Sequence, residues 1–505
     1  MKVIFPYQGN PRPVTTILSQ LRTPSLSCQT AVFEYDYVDE DYQDEFACFY
    51  SKTFKKYPHR CTRVHFFSCA IPLKTRTGFD KYKNSYLGFM VLRPTDLQRV
   101  GRTILKPTLD DPNRQFINCT TSYSAHILGD DFRVQAMPFI QQDTQVGACA
   151  QASLWMLARY MSQRFGHRRF LPAEINALAK AHMAMGRPLP AESGLTPIQI
   201  LDALQGMGFA AVIYLRENVD GCSKHIEIAF PVTGQTPDEQ SASMEQQRTA
   251  KLADIAYRYI ESGLPVILCT KDHALVAIGH TYNPTVVNAK ASIQRIPSFY
   301  TNNDNLGPYV EMPLIRQGGD VSLPDVQMVI SVTPLEATLR GEQAECMAME
   351  SIYSLLEEQP IPDQSSDKLR DILVRARPEF STWFGCLEYR TYLIESVRLQ
   401  QDLRIEISDD NIMRTVGEKL LVLDYPKYVW VTEISSSTLL NRPDKNQRNC
   451  LGRVFVDSTA PSRTAGVMAI HFADILLIQD RNDLTQADRY MFLNSTPFKH
   501  RLCCL

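Results

Sequence analysis

The apolar positions along this chain change their rhythm twice. Through residues 1–133, short runs such as Val64-His65-Phe66-Phe67 and Tyr86-Leu87-Gly88-Phe89-Met90-Val91-Leu92 are separated by turn formers at Pro58-His59, Thr77-Gly78 and Pro107. Their aromatic and β-branched content predicts strands. The acidic segment Tyr35–Glu45 (YDYVDEDYQDE) breaks that pattern and reads as a solvated helix or loop, with a docking surface as the alternative. From about residue 134 the period lengthens. Ala152, Ser153, Met156, Leu157 and Tyr160 recur at helical spacing and predict a helix over 149–163. A second helix fits Pro172–Met185, stopped by Gly186 and Pro188. Thr196 followed by Pro197 has the form of an N-cap with proline at the first helical position, which opens a helix to about Gly206.

Residues 234–250 (GQTPDEQSASMEQQRTA) are polar without a β pattern and read as a surface insertion running into a helix over Lys251–Ser262. Strands follow at 264–270 and 273–280, with another at 308–312. Beyond 335 a helical stretch, Leu335–Glu358, leads into Gln359-Pro360-Ile361-Pro362-Asp363-Gln364-Ser365-Ser366, which has the composition of a linker. The remainder alternates helices (366–377, 386–403, 409–420) with strands (427–434, 452–457, 466–479). The fold class is therefore α/β (α+β). Three segments are expected: an N-terminal β-rich region over 1–133, a central domain over 134–335 and a C-terminal α/β domain over 336–505.

Composition narrows the function classes. A chain of 505 residues exceeds a single hydrophobic core, and 44% apolar with 21% charged residues is ordinary for a globular protein. Lys plus Arg (53) against Asp plus Glu (55) leaves a net charge of −2, with no block of like charge to attract nucleic acid or an anionic membrane. The N-terminus, MKVIFPYQGNPRPV, lacks the apolar stretch of a secretory signal, and no run approaches a membrane span. A cytosolic location is expected. The thirteen cysteines are scattered and form no CxxC pair, which argues against a disulfide framework and against zinc; no cofactor or metal is implied. The tail Arg501-Leu502-Cys503-Cys504-Leu505 puts Leu, not Cys, fourth from the end and does not fit a prenylation signal. Gly318-Gly319 has neither the further glycine nor the lysine of a phosphate-binding loop.

The stretch that carries chemistry is QQDTQVGACAQASLWM, residues 141–156. A glycine turn at Gly147 runs directly into the 149–163 helix and sets Cys149 in its first turn. Exposed N–H groups at a helix start favour a thiolate. Small Ala148 and Ala150 leave room for a carbonyl beside the sulfur, and an upstream glutamine amide can face a developing oxyanion. Taken alone, Cys149 is also what an inert buried helix cysteine looks like. A nucleophile needs a base, and His273 opens the second of two apolar strands in GLPVILCTKDHALVAIGH. His280, at that strand's far end, reads as a surface turn residue. Asp304, before the Gly307-Pro308 turn, can orient an imidazole; the amides of Asn302, Asn303 and Asn305 can do the same. Glu433, Asp457 and His471 allow a second site to be drawn, but strand-end turns and one core histidine account for them.

These elements together resemble the bacteriocin-processing-type papain-like cysteine peptidases: the cysteine-helix motif, the strand-borne DHALVAIGH and the DNLGPY loop, over about residues 134–320. The resemblance implies a papain-like central domain with Cys149 as nucleophile, His273 as base, Asp304 as orienting group and a glutamine in the oxyanion hole. That family commonly has glycine after the cysteine, where Ala150 stands here, and glutamine six residues before it, where Asp143 stands. Gln142 takes the oxyanion role with one residue inserted; Gln141 and Gln145 are the alternatives. The Cys-to-His spacing, 273 − 149 = 124 residues, is long, and the polar insertion at 234–250 accounts for part of it. The expected activity is intracellular hydrolysis of a peptide or isopeptide bond in a protein or peptide substrate, through an acyl-enzyme. Acyl transfer by the same triad and a catalytically silent binding module are the alternatives.

Overall fold

The computed structural model describes residues 12–499 apart from 73–77, 97–98, 192–193, 222–232, 235, 317–320, 358–366, 408–410, 462–465, 474, 481–486 and 492–497. The 359–366 linker, Gly318-Gly319 and the cysteine tail thus lie outside the described residues. Helices mix with antiparallel sheets, an α+β fold. Contacts divide the chain into two compact units: the first takes residues 1–213, 263–280 and 298–332, the second 214–262, 281–297 and 333–505. Residues 1–133 therefore share a unit with the Cys149 segment, and the contacts divide the chain at 332/333, three residues from the line expected at 335/336.

The first unit opens with α1 (Arg12–Leu21), β1 (Thr30–Tyr37), α2 (Glu40–Cys48), β2 (Cys61–Phe67), β3 (Tyr86–Leu92), β4 (Val100–Leu105), β5 (Gln115–Phe116), β6 (Thr121–Ile127) and β7 (Asp130–Phe139). Six of these strands form one sheet in the order β1-β2-β3-β4-β7-β6. Phe67, Tyr86, Phe89 and Phe132 build its core together with Tyr42 and Tyr50, so the aromatic runs form strands because each buries its rings there. Next come α3 (Cys149–Phe165), α4 (Pro172–Leu178), α5 (Ala181–Met185), α6 (Pro197–Gly206), β8 (Phe209–Leu215), β9 (Val266–Cys269), β10 (Ala274–Thr281), β11 (Ser298–Asn303), β12 (Gly307–Pro313) and β13 (Met328–Pro334). The second sheet runs β12-β11-β10-β9-β13-β8, with β5 laid against β10. At that crossing Gly279 is required, because a Cβ there would sit 2.2 Å from the Phe116 carbonyl oxygen.

The second unit contains α7 (Pro237–Glu261), α8 (Gly341–Glu357), α9 (Leu369–Ala376), α10 (Glu379–Phe384), β14 (Leu387–Glu395), α11 (Ser396–Ile407), α12 (Asn411–Leu421), β15 (Tyr428–Ser436), β16 (Asn449–Cys450), β17 (Gly452–Asp457), β18 (Val467–Phe472), β19 (Ile475–Gln479), β20 (Ala487–Met491) and β21 (Phe498–Lys499). Its main sheet is β14-β15-β17-β18-β19-β20. Val429, Val431, Phe455 and Leu476 pack with Leu399, Leu403, Val416 and Leu420 of α11 and α12 to make the core.

Several sequence expectations are corrected here. The helix expected from Lys251 starts earlier, within the polar 234–250 stretch: Thr236 caps it by accepting from the Glu239 N–H, and α7 runs unbroken from Pro237 to Glu261. Its Glu, Gln, Ala, Met and Arg content suits an exposed helix surface. The 386–403 segment is a strand before it is a helix, since Tyr389, Thr391, Tyr392 and Ile394 favour β14 over residues 387–395. The helix expected over 172–185 divides at Lys180, whose φ is +50°. The strand expected over 466–479 is a hairpin turning near Ala473, φ +51°. Thr196 does cap α6, with Pro197 following.

The acidic segment departs furthest from expectation. Asp39, Asp41 and Glu45 are buried, not solvated. Asp39 pairs with Arg102 at 2.8 Å and Glu45 with Arg93 at 2.7 Å. Asp41 accepts from Arg159 Nη2 at 2.5 Å and Trp155 Nε1 at 2.9 Å, which fastens α2 to α3. His280 is likewise fully buried, its ring 5.4 Å from that of Phe116, rather than a surface turn residue.

Candidate active site

Helix α3 begins at Cys149, as the glycine turn and apolar spacing anticipate, and Ala150 through Ser162 are all buried. Gly166, φ +72°, ends it. Cys149 itself is half-buried. Backbone N–H groups of Ala274, Ala150 and Cys149 face the sulfur and favour its thiolate, but burial outweighs them and the nearby Asp304 carboxyl adds to the rise. The thiol is therefore pushed up from its ordinary value. The helix start does not leave it a ready thiolate.

His273 closes the β9–β10 turn, its carbonyl accepting from the Thr270 N–H at 2.8 Å. That tight turn places the imidazole one residue from Ala274, the residue whose N–H faces the Cys149 sulfur. Burial holds the ring below its usual pKa, offset in part by a hydrogen bond to Asn303. Nε2 lies 3.0 Å from Asn303 Oδ1 and 3.3 Å from Asp304 Oδ1. On the opposite edge of the ring, Nδ1 is 3.4 Å from Asn305 Nδ2. With Asn303 accepting and Asn305 donating, the network fits a neutral ring carrying its proton on Nε2. Cys149 and His273, among the described residues, share no hydrogen bond.

The orienting turn is braced from outside. Leu306 N–H returns to the Asn303 carbonyl at 3.0 Å, and Asn303 Oδ1 also accepts from the Asn305 N–H at 3.0 Å. Helix α1 docks there, with Thr16 Oγ1 donating to the Leu306 carbonyl at 2.6 Å and Gln20 Nε2 to that of Pro308 at 2.7 Å. Asn302 faces the other way, bonding the Pro138 carbonyl at 2.9 Å. Asp304 is buried, and neither carboxyl oxygen finds a well-aligned hydrogen-bond partner. Burial pushes its pKa up to about 7, against the weaker pull of its own N–H, Arg99 and the Asn305 N–H. The closest aligned acceptor for His273 is thus Asn303, with Asp304 beside it.

Of the three glutamines, Gln142 reaches the cluster: its Nε2 donates to Asn305 Oδ1 at 3.0 Å. Gln141 is spent on the scaffold, its Oε1 accepting from the Val100 N–H at 3.0 Å. Gln145 holds the 191 region through its carbonyl, which accepts from the Ala191 N–H at 2.8 Å. Cys149, His273, Asp304 and Gln142 therefore come together in one place, and Asn303 and Asn305 join them. What went unrecognised in the sequence is Asp143, whose Oδ1 accepts from the N–H groups of Gln145, Val146 and Gly147 at 3.0, 3.0 and 3.1 Å. The signal was available, because an Asp that bonds the backbone just ahead of it is a standard turn former.

The second constellation drawn from sequence does not assemble. Glu433 and His471 lie in one cross-strand row, Arg390–Glu433–Arg453–His471 on β14, β15, β17 and β18. Glu433 pairs with Arg390 at 2.9 Å and Arg453 with Glu406 at 2.8 Å. Asp457 lies four residues along β17 from Arg453 and caps Thr459 through its N–H at 2.8 Å. His471 is buried, and burial with the Arg453 charge pushes its pKa down to about 3. Among the described residues no group of three or more His, Cys, Asp and Glu could hold a metal ion, and no helix is long and apolar enough to cross a membrane. No protein-family model, curated protein or solved structure matches the chain.

Proposed function

We propose that this protein is a cytosolic thiol hydrolase that cleaves a peptide or isopeptide bond through an acyl-enzyme on Cys149. The observation that carries this reading is the convergence of a cysteine in the first turn of a buried helix, its sulfur facing the Ala274 N–H, with His273 at the end of the β9–β10 turn, whose Nε2 is held by Asn303 and Asp304. The raised thiol and lowered imidazole describe a neutral resting pair. In the reaction, His273 Nδ1 takes the thiol proton as the sulfur attacks the carbonyl, which requires Asn305 to release that nitrogen. The oxyanion lies against the Cys149 N–H and Gln142 Nε2. Collapse of the tetrahedral adduct sends the proton from His273 to the leaving amine. Water then attacks the thioester with His273 as base, and the acid product leaves with the thiol restored.

The test needs no substrate. The folded protein is treated with iodoacetamide across pH 6–9 and the alkylated residue is mapped. Preferential labelling of Cys149, rising with pH because the thiol is raised and slowed by His273→Ala, supports the reading. Labelling of Cys149 no faster than the other twelve of the thirteen cysteines sinks it.

A further inference from the structure

The loop ahead of Cys149 holds an uncommon backbone conformation. Thr144 has φ +65°, a left-handed position that a β-branched residue occupies only when its surroundings impose it. What imposes it is the Asp143 carboxylate. Oδ1 gathers the N–H groups of residues 145, 146 and 147. Oδ2 accepts from Tyr50 Oη at 2.7 Å and lies 3.9 Å from Arg93 Nη1. The same arginine, through Nη2, donates to the Gln141 carbonyl at 2.5 Å, and the Gln141 N–H returns to the Val100 carbonyl at 3.0 Å. Gln142 thus sits between two neighbours that one buried guanidinium holds against the β4 end of the sheet.

The accounting of N–H groups points the same way. Asp143 takes those of 145–147, and Gln151 Oε1 takes that of Ala148 at 3.2 Å. The first intrahelical bond runs from Ala152 N–H to the Ala148 carbonyl at 3.0 Å. The N–H groups of Cys149 and Ala150, which face the sulfur, are therefore not consumed by the helix. A carboxylate at 143 cannot itself donate to an oxyanion, yet it folds the loop that presents the residue which can.

We propose that Asp143 is a positioning residue, which acts through the loop it folds to aim the Gln142 amide at the oxyanion formed on Cys149 attack. This rests on the thiol-hydrolase reading and goes beyond it by giving position 143 a function in the chemistry. Two reagents separate the roles. Iodoacetamide alkylates sulfur by displacement and makes no oxyanion; p-nitrophenyl acetate acylates it through a tetrahedral oxyanion. Both products are followed by intact mass with the site mapped to Cys149. Asp143→Ala is expected to slow acylation roughly 10- to 100-fold while changing alkylation by less than about two-fold. Asp143→Asn, which keeps an acceptor oxygen for the three N–H groups, is expected to restore most of the acylation rate. Gln142→Ala should give the same selective loss, and the double variant no further loss, as for residues acting in series. Should Asp143→Ala fail to fold by thermal melting, Tyr50→Phe, which removes only the Oδ2 partner, is expected to show a smaller loss confined to acylation. The proposal is overturned by an unchanged acylation-to-alkylation ratio, by equal slowing of both reactions, or by independent losses for 142 and 143. A wild-type Cys149 that reacts with neither reagent overturns the hydrolase reading itself.

Discussion

The two units each bury a collection of titratable side chains, and they handle them in opposite ways. In the Arg390–Glu433–Arg453–His471 row the charged members are all ion-paired and the histidine is held neutral at the core. Around Cys149 the polar capacity is left unspent. Asp304 keeps two unaligned oxygens, Asn305 Nδ2 stands 3.4 Å from His273 Nδ1, and the thiol is half-buried. Buried charge is tolerated in the row because each group is answered. At the cysteine the incomplete pairing costs stability, and under the proposed function it is what leaves groups for a reacting carbonyl. Ion-paired networks specify a structure; partly satisfied ones are where chemistry is commonly found.

That contrast can be broken most sharply at the base. His273→Ala should slow acylation of Cys149 by p-nitrophenyl acetate on the order of 10²- to 10⁴-fold, measured by intact mass, and leave the denaturant midpoint nearly unchanged. Arg390→Met should do the reverse. It leaves Glu261 and Glu433 buried without their shared partner, at a cost of about 3–5 kcal/mol in urea unfolding, with Cys149 reactivity of the folded protein preserved. Equal behaviour of the two variants in both assays would erase the distinction. A smaller effect with the opposite sign is expected at Asn305. Its alanine variant frees His273 Nδ1 and should raise the iodoacetamide rate about three- to ten-fold, the worth of one net hydrogen bond; a fall would show Asn305 to be supportive rather than obstructive.

The mildest comparison is in pH. His471 has a folded pKa depressed to about 3, so protons bind the unfolded chain more readily. Its contribution to stability is present above about 6.5 and is lost as pH falls from there toward 3. Asp304 is raised to about 7, so its penalty grows as pH climbs from about 4 to 7. Stability measured between pH 4 and 6.5 should gain more from His471→Phe than at pH 8, whereas Asp304→Asn should help chiefly above pH 7. Profiles for the two variants that run parallel would contradict both assignments.

Much of the site was legible because it depends on local pattern. Gly147, the apolar spacing of 152–160 and the paired apolar strands around His273 each write their element into a few consecutive residues. The burial of Asp39, Asp41 and Glu45 was not legible, since the arginines that answer them stand up to 118 residues away, as Arg159 does from Asp41. The order of Cys, His and Asp and the Gly307-Pro308 turn point to Asp304 with Asn303 as an alternative, yet which of two adjacent side chains faces an imidazole is decided by strand pleat, and a register shift falls just there in β11–β12. The polar surface of α7 misled for another reason: an exposed helix face without apolar residues carries no periodicity to read.

The hairpin that bears His273, residues 263–280, belongs to the first unit but is flanked on both sides by segments of the second. As the chain leaves the ribosome, Cys149 emerges well before His273, and the asparagine turn comes later still. A nascent or truncated chain ending before about residue 305 therefore carries Cys149 without the turn that holds His273. Assembly of the Cys149–His273–Asn303 cluster is in this way tied to completion of a long stretch of synthesis.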